Sequence, residues 1–360
     1  MSSSIPTATT TTTATSTSVF GGDHPERFKW NGGALASDGC VYAAPFEADR
    51  ILRIDPAGGG TTELVGPKLE LPEPASRYKY SGGVALDGGD SVCFVPSGAH
   101  RVLRFHVPTG TTGFVGADYS EISGSRWSGG AVGSDGCLYC APANASRILR
   151  WDPSSDGDTT ATTTLVGEDL GDEKWKYAGA VASGDGSEIY LIPSRARCLV
   201  RYEIATDRCT RIPIDHLVSE ETPGGWRGGV LRPDGCVYGI PVKAERMLRY
   251  DPREPHGPEN PALVGDAVSG YIGAVLAGNG CIYGIPNKAD RVFRYDPFDG
   301  TTELVGDSFE LESGGKWFHG VVCGGGGGDD DADDGATTIV GIPFDHEKVL
   351  RIVVPSSPVG

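Results

Sequence analysis

A ring of seven four-stranded β-blades is the fold that this sequence predicts. Three observations lead there. A unit of roughly 50 residues recurs seven times, which is the signature of a repeat architecture. Each copy breaks into short apolar segments separated by Gly, Pro and Asx-Gly turn signals. The last copy lacks its fourth segment, and a matching segment stands alone near the N-terminus.

The unit reads aromatic, x, Gly-Gly, apolar pair, Asp-Gly, Cys-Val-Tyr, two apolar residues, Pro, x-x-Ala-x-Arg, apolar pair, Arg-Tyr-Asp-Pro, turn, Thr-Thr-x-Leu-Val-Gly. The Pro falls at 45, 96, 142, 193, 241, 286 and 343, and an Arg follows eight residues later in every copy, from Arg53 to Arg351. The first strand follows the aromatic and the double Gly, as at Ala34-Leu35. Asp38-Gly39, Asp135-Gly136, Asp234-Gly235 and Asn279-Gly280 then turn the chain as two-residue hairpins, because Asx-Gly supplies positive φ. The second strand runs from Cys40 to Ala44 and its equivalents, and the third from Arg50 to Ile54. The third ends at Asp55-Pro56 and its equivalents, since Pro donates no ladder hydrogen bond. The fourth is Thr61 to Val65. Strands two and three are apolar on both faces, as a blade sandwiched between two others requires, and such a repeat makes a β-propeller.

The expected organisation is a Ser/Thr-rich disordered tail over 1–16 and a single all-β, seven-bladed propeller over 17–355. Its N-terminal strand, 17–21, joins the last blade and closes the ring, removing an exposed edge. The blades lie near 30–66, 80–116, 127–167, 177–213, 226–265, 271–306 and 317–355. A Gly/Asp-rich stretch at 324–335 is read as a flexible insertion.

Net charge is −17 with a pI near 4.8, which argues against nucleic acid or an anionic membrane as the main partner. Gly (54) and Pro (25) disfavour a helical protein. The nine Cys are odd in number and include four repeat-equivalent ones, Cys40, Cys137, Cys236 and Cys281, which sit too far apart to bridge. They read as small buried hydrophobes. Cys137 and Cys140 match C-x-x-C, but an odd separation on a strand puts them on opposite faces. Unpaired thiols point to a reducing, cytoplasmic setting. The chain is expected to be a monomer.

The segment Arg-Tyr-Asp-Pro-x-x-Gly-Thr-Thr, clearest at Arg294 to Thr302, resembles the third-strand motif of kelch, NHL and YVTN-type propeller repeats. The resemblance covers residues 17 to 355 as a class of fold. The double Gly lies before the first strand here and not after the second, and the kelch Trp after the turn is missing, so no kelch partner or activity is implied.

Residues present in every copy are explained by what every blade needs, so the strand-three Arg is read as structural, paired with carboxylates and backbone carbonyls; in five copies the residue two positions on is acidic (Asp55, Asp152, Glu203, Asp251 and Asp296). The aromatics Trp30, Tyr80, Trp127, Tyr177 (or Trp175), Trp226, Tyr271 and Trp317 either wedge between blades or line a mouth at the axis. Two residues past the Pro the sequence varies: Glu47, Gly98, Asn144, Arg195, Lys243, Lys288 and Asp345. That pattern predicts a basic arc (Arg195, Lys243, Lys288) facing an acidic one (Glu47, Asp345). The candidate ligand-binding set is Trp30, Trp127, Trp226, Trp317, Arg227, His319 and the basic arc. The leading expectation is a non-catalytic scaffold without cofactor that binds a protein segment or a small polar or anionic ligand at the axial mouth. One alternative is a metal-assisted hydrolase or lyase of the lactonase type, with a divalent cation on Glu47, Asn144 and Asp345. Asn31 is a further oxygen donor. A multivalent lectin is the second alternative.

Overall fold

The computed structural model describes residues 14–70, 78–154, 162–219, 224–310, 314–324 and 336–356. The tail as far as residue 13 and all but the first residue of the 324–335 insertion lie outside them. The chain forms seven antiparallel sheets of four strands each. Blade 1 is β2 (Trp30–Leu35), β3 (Val41–Pro45), β4 (Ile51–Asp55) and β5 (Thr61–Val65), ordered from the axis outward. The first strands of successive blades touch in a circle, and Trp317–Cys323 of blade 7 meets β2 to complete it. Closure is as expected: β1 (Ser16–Phe20) pairs with Val349–Val354 as the outer strand of blade 7.

Three local readings are revised. The innermost strand starts at the aromatic and contains the glycine pair, because a β-bulge lies there: Trp30 faces Pro45, and the next pair is Gly33 with Ala43. The same bulge recurs in all seven blades. The Asx-Gly hairpins hold three residues, as in Ser37-Asp38-Gly39, closed by Ala36 N–H donating to Cys40 O at 2.9 Å. Only the Gly of that turn needs positive φ (Gly39, 77°), while the Asp38 carboxylate accepts from Cys40 N at 3.1 Å. The N-terminal strand covers 16–20 in place of 17–21.

Besides a small cluster of Ile272, Phe318 and Phe344, the core is seven apolar clusters, one per blade junction. Each contains one repeat aromatic; Trp30, for example, packs with Val41 of blade 1 and with Val340 and Ile342 of blade 7. Trp30, Trp127, Trp226 and Trp317 are buried, and each indole N–H donates to a backbone carbonyl 2.9–3.0 Å away, on Arg50, Arg147, Arg246 and Lys348. They are wedges, which removes them from the wall of the mouth. The nine thiols are free and mostly buried. Cys137 and Cys140 point into different junctions, and burial pushes Cys40 and Cys137 up to about 12, so neither is a nucleophile at neutral pH.

Candidate functional site

The bulge builds the site. It inserts one residue beside the axis and re-aims the side chain between the aromatic and the glycine. That position carries Asn31, Ser81, Ser128, Ala178, Arg227, Ile272 and Phe318 in blades 1 to 7. Three of these, Arg227, Ile272 and Phe318, line a cavity of about 710 Å³ at the mouth of the ring, within the size range of small-molecule sites.

One wall is basic. Arg195, Lys243 and Lys288 line the cavity, as the loop alignment predicts, and Arg227 lies among them. Arg195, Lys243 and Lys288 are exposed. Among the described residues none of the four makes an ion pair with a carboxylate. Arg227 stacks 5.5 Å from the centre of the Trp175 ring. Burial, and then the charge of Arg195, holds its guanidinium below the usual arginine range.

The opposite wall is not acidic. It is aromatic, made by Phe28, Phe318 and Phe344, with Phe46 behind them. Phe318 and Phe344 have ring centres 4.1 Å apart, and Phe28 meets Phe344 edge-on at 5.2 Å. Asp345 is turned into the protein. Its carboxylate accepts from Phe28 N at 2.8 Å and Gly315 N at 2.9 Å, and Arg27 lies 3.3 Å away. Asn144 is spent in the same way, its carbonyl oxygen accepting from Trp175 N at 3.0 Å. Glu47 is half-buried. Two of the three proposed metal donors thus spend oxygens on backbone amides, and the described residues contain no cluster of three His, Cys, Asp or Glu side chains that could hold a metal.

Two features escape the sequence reading. The first is the aromatic wall, although its signal was present: the residue after the Pro is Phe46 and Phe344 in blades 1 and 7, against Ser97, Ala143, Ser194, Val242 and Asn287 elsewhere. The second is a collar of basic residues just before the aromatic, Lys29, Lys79, Arg126, Lys176 and Lys316, largely buried and donating mainly to loop carbonyls. Lys79 reaches Glu47 O at 2.9 Å, Arg126 reaches Tyr119 O at 2.8 Å, and Lys176 reaches Glu173 O at 2.9 Å. Burial brings the Lys29 ammonium down to about 8, against the opposing pull of Asp345. Blades 5 and 6 have Gly225 and Gly270 at that position. There the cation stands on top of the loop instead, as Lys243 and Lys288.

His319 occupies the axis itself. Six blades place glycine at the inner bulge position, Gly32, Gly82, Gly129, Gly179, Gly228 and Gly273, all at positive φ. Each approaches the next so closely that a Cβ would collide with its neighbour. Blade 7 places His319 there, at φ 59°. Its imidazole fills the space against the circle: a Cβ on Gly228 would lie 2.9 Å from Cε1, and one on Gly32 would lie 3.5 Å from Cδ2. Burial, then Arg227, lowers the imidazole to about 4, so it is neutral at neutral pH.

No family model matches the sequence, and no curated protein matches it. Solved structures match its fold over nearly the whole chain. Streptogramin B lyase aligns at TM-score 0.64 with 15% identity, covering 94% of this chain and 97% of that one. Virginiamycin B lyase from Staphylococcus aureus aligns at 0.65 with 12% identity, covering 94% and 99%. A protein of unknown function from Bacteroides thetaiotaomicron aligns at 0.57 with 13% identity, covering 94% and 76%. At such identities the likeness is one of fold, and what these proteins share with the present chain is a β-propeller.

Proposed function

We propose that this propeller binds a small amphiphilic anion at its axial mouth. The observation that carries the reading is the division of one cavity between Arg195, Arg227, Lys243 and Lys288 on one side and Phe28, Phe318 and Phe344 on the other. On a chain of net charge −17, four basic groups without a carboxylate partner among the described residues concentrate positive potential against the global trend. A carboxylate or phosphate would take charge-assisted hydrogen bonds from them, and a flat apolar body would lie on the phenyl rings. The modest volume favours a small molecule over a threaded protein segment. Lectin sites at each blade junction would need exposed aromatics, and the repeat aromatics are buried.

The test is a calorimetric screen of aromatic carboxylates, aryl phosphates and acidic peptides against the wild type and the triple variant Arg195→Ser, Lys243→Ser, Lys288→Ser. The small aromatic anions should bind, more weakly as salt rises, and the triple change should weaken them by at least about 30-fold. Its melting temperature should stay near that of the wild type, because the three side chains are exposed. Undiminished binding would reject the basic wall. A preference for peptides would move the reading to a protein partner.

A further inference from the structure

Arg126 and Arg150 spend their donors on the protein. Arg126 donates to Tyr119 O at 2.8 Å and to Gly98 O at 2.9 Å, and Arg150 lies 3.0 Å from Asp135 and 3.2 Å from Asp152. Arg227 spends none. It makes no hydrogen bond and no ion pair with a described residue, and none of its nitrogens is sealed from solvent, so its N–H donors open on the cavity whose wall it forms. What holds this side chain is its face. The guanidinium carbon lies 5.5 Å from the centre of the Trp175 ring, and a stack of that kind fixes the plane of the fork while leaving the donors at its edge free. Trp175 is itself fixed. It adopts the left-handed region at φ 61°, and the Asn144 side-chain oxygen accepts from its N–H at 3.0 Å. Backbone strain in a non-glycine residue persists where the surroundings enforce it, and it clusters at ligand sites.

We propose that Arg227 is the anchor of the mouth and that the ligand is an aromatic monocarboxylate, its carboxylate seated on the guanidinium fork and its ring laid across blades 6 and 7. The proposal rests on the mouth binding small amphiphilic anions, and it separates the roles of the four cations. The bulge position gives the direction: blades 5, 6 and 7 carry Arg227, Ile272 and Phe318 there, and all three line the cavity. A ligand crossing from blade 5 to blade 7 therefore meets a charge first and then an apolar run that ends on the paired rings of Phe318 and Phe344. A carboxylate presents both oxygens in one plane and matches the fork with parallel hydrogen bonds. Its single charge is what one enclosed guanidinium neutralises. An aryl phosphate brings a second charge, which would stay uncompensated where the guanidinium is enclosed. Arg195, Lys243 and Lys288 are exposed. They draw the anion in through a field that salt screens, and Arg227 holds it by contact.

Calorimetry at pH 7 with phenylacetate and phenyl phosphate tests this, in about 0.1 M and about 1 M NaCl, between which the Debye length falls from about 10 Å to about 3 Å. At the higher salt phenylacetate should bind the wild type at least about 10-fold more tightly than phenyl phosphate. Arg227→Lys keeps the charge and loses the fork, so it should weaken phenylacetate by at least about 10-fold at both salts. The triple change Arg195→Ser, Lys243→Ser, Lys288→Ser should weaken it strongly at the lower salt and by less than about 3-fold at the higher. Trp175→Leu leaves the guanidinium in place without its stack and should weaken it by about 3-fold. Arg227→Met should melt no lower than the wild type, because an enclosed guanidinium without a partner costs the unliganded fold. A lower melting temperature would make Arg227 a residue of the fold and overturn the anchor. Wild-type affinity in Arg227→Lys would overturn it as well; a loss in the triple variant that persists at high salt would then seat the carboxylate on the exposed cations and leave the anion-binding mouth standing. Tighter binding of phenyl phosphate at the higher salt would overturn the monocarboxylate. Binding of neither probe to the wild type would overturn the anchor and the mouth together.

Discussion

Two sets of basic side chains in this ring have opposite surroundings. The third-strand arginines occur in all seven blades, and six of them are paired with carboxylates. Arg150 lies 3.0 Å from Asp135 and 3.2 Å from Asp152, Arg104 lies 2.9 Å from Asp87, Arg201 is 3.3 Å from Glu188, and Arg294 is 2.8 Å from both Asp296 and Glu303. Arg351 sits over the Phe20 ring, its guanidinium carbon 4.4 Å from the centre, and donates to Pro56 O. The mouth cations occur in blades 4, 5 and 6 alone and have no carboxylate opposite them among the described residues. A charge that every copy repeats is satisfied within its own blade or its neighbour and serves the fold. A charge that appears in one arc and is left unsatisfied is available to something else. Repetition therefore works as an internal control, separating structural electrostatics from binding electrostatics within one molecule.

The strongest way to break that comparison is to attack a repeated residue and look for lost binding. Trp127 lies at the junction of blades 2 and 3, with Tyr119 edge-on at 5.1 Å and its indole N–H bonded to Arg147 O. Trp127→Ala should cost about 3–5 kcal/mol of stability through the cavity it leaves, read by denaturant unfolding. Affinity for an aromatic carboxylate, measured well below the melting temperature, should not change. A variant that stayed stable and lost the ligand would return the aromatics to the mouth.

A smaller effect is expected at the repeated arginine. Arg150→Ala removes the guanidinium from Asp135, Asp152, the Tyr139 hydroxyl and the Cys137 sulfur at once. The side chain is about a quarter exposed (26%), so solvent compensates part of the loss. We expect roughly 1–2 kcal/mol, below the cost of opening a fully buried pair, with ligand affinity again unchanged. Arg150→Leu with Asp135→Asn should recover part of it. Loss of affinity at constant stability would erase the distinction between the two sets.

The period of the repeat made the fold legible, because seven Pro and seven Arg in fixed register leave few topologies open. The basic wall was legible for the same reason: Arg195, Lys243 and Lys288 are what remains after the common pattern is subtracted. The aromatic wall was harder to see. Trp30 and Asn31 are neighbours in sequence, and only the bulge decides that the first turns into the junction while the second turns toward the axis. Asp345 was misplaced because its partners are backbone amides of distant residues, Phe28 and Gly315, which no local spacing reveals. His319 was visible as a departure from Gly, but its meaning depends on six glycines meeting at one point, which is a property of the closed ring.

The smallest effect concerns the imidazole on the axis. His319 is held near 4 in the folded chain, against 6.5 for a free histidine, chiefly by burial and then by Arg227. As pH falls from about 6.5 toward 4, the unfolded chain takes up a proton that the native chain refuses. The native state therefore loses stability relative to a chain without this group, and the contribution is complete only above about 6.5. Many carboxylates titrate in the same window, so the useful quantity is a difference. The melting temperature of His319→Gly should rise relative to that of the wild type between pH 6.5 and 4.5, by about 1–3 °C for a chain of this length. Above pH 7 the gap should be constant and should reflect only the relieved backbone strain and the lost packing. A gap independent of pH across the whole range would mean that the imidazole protonates as freely in the ring as outside it.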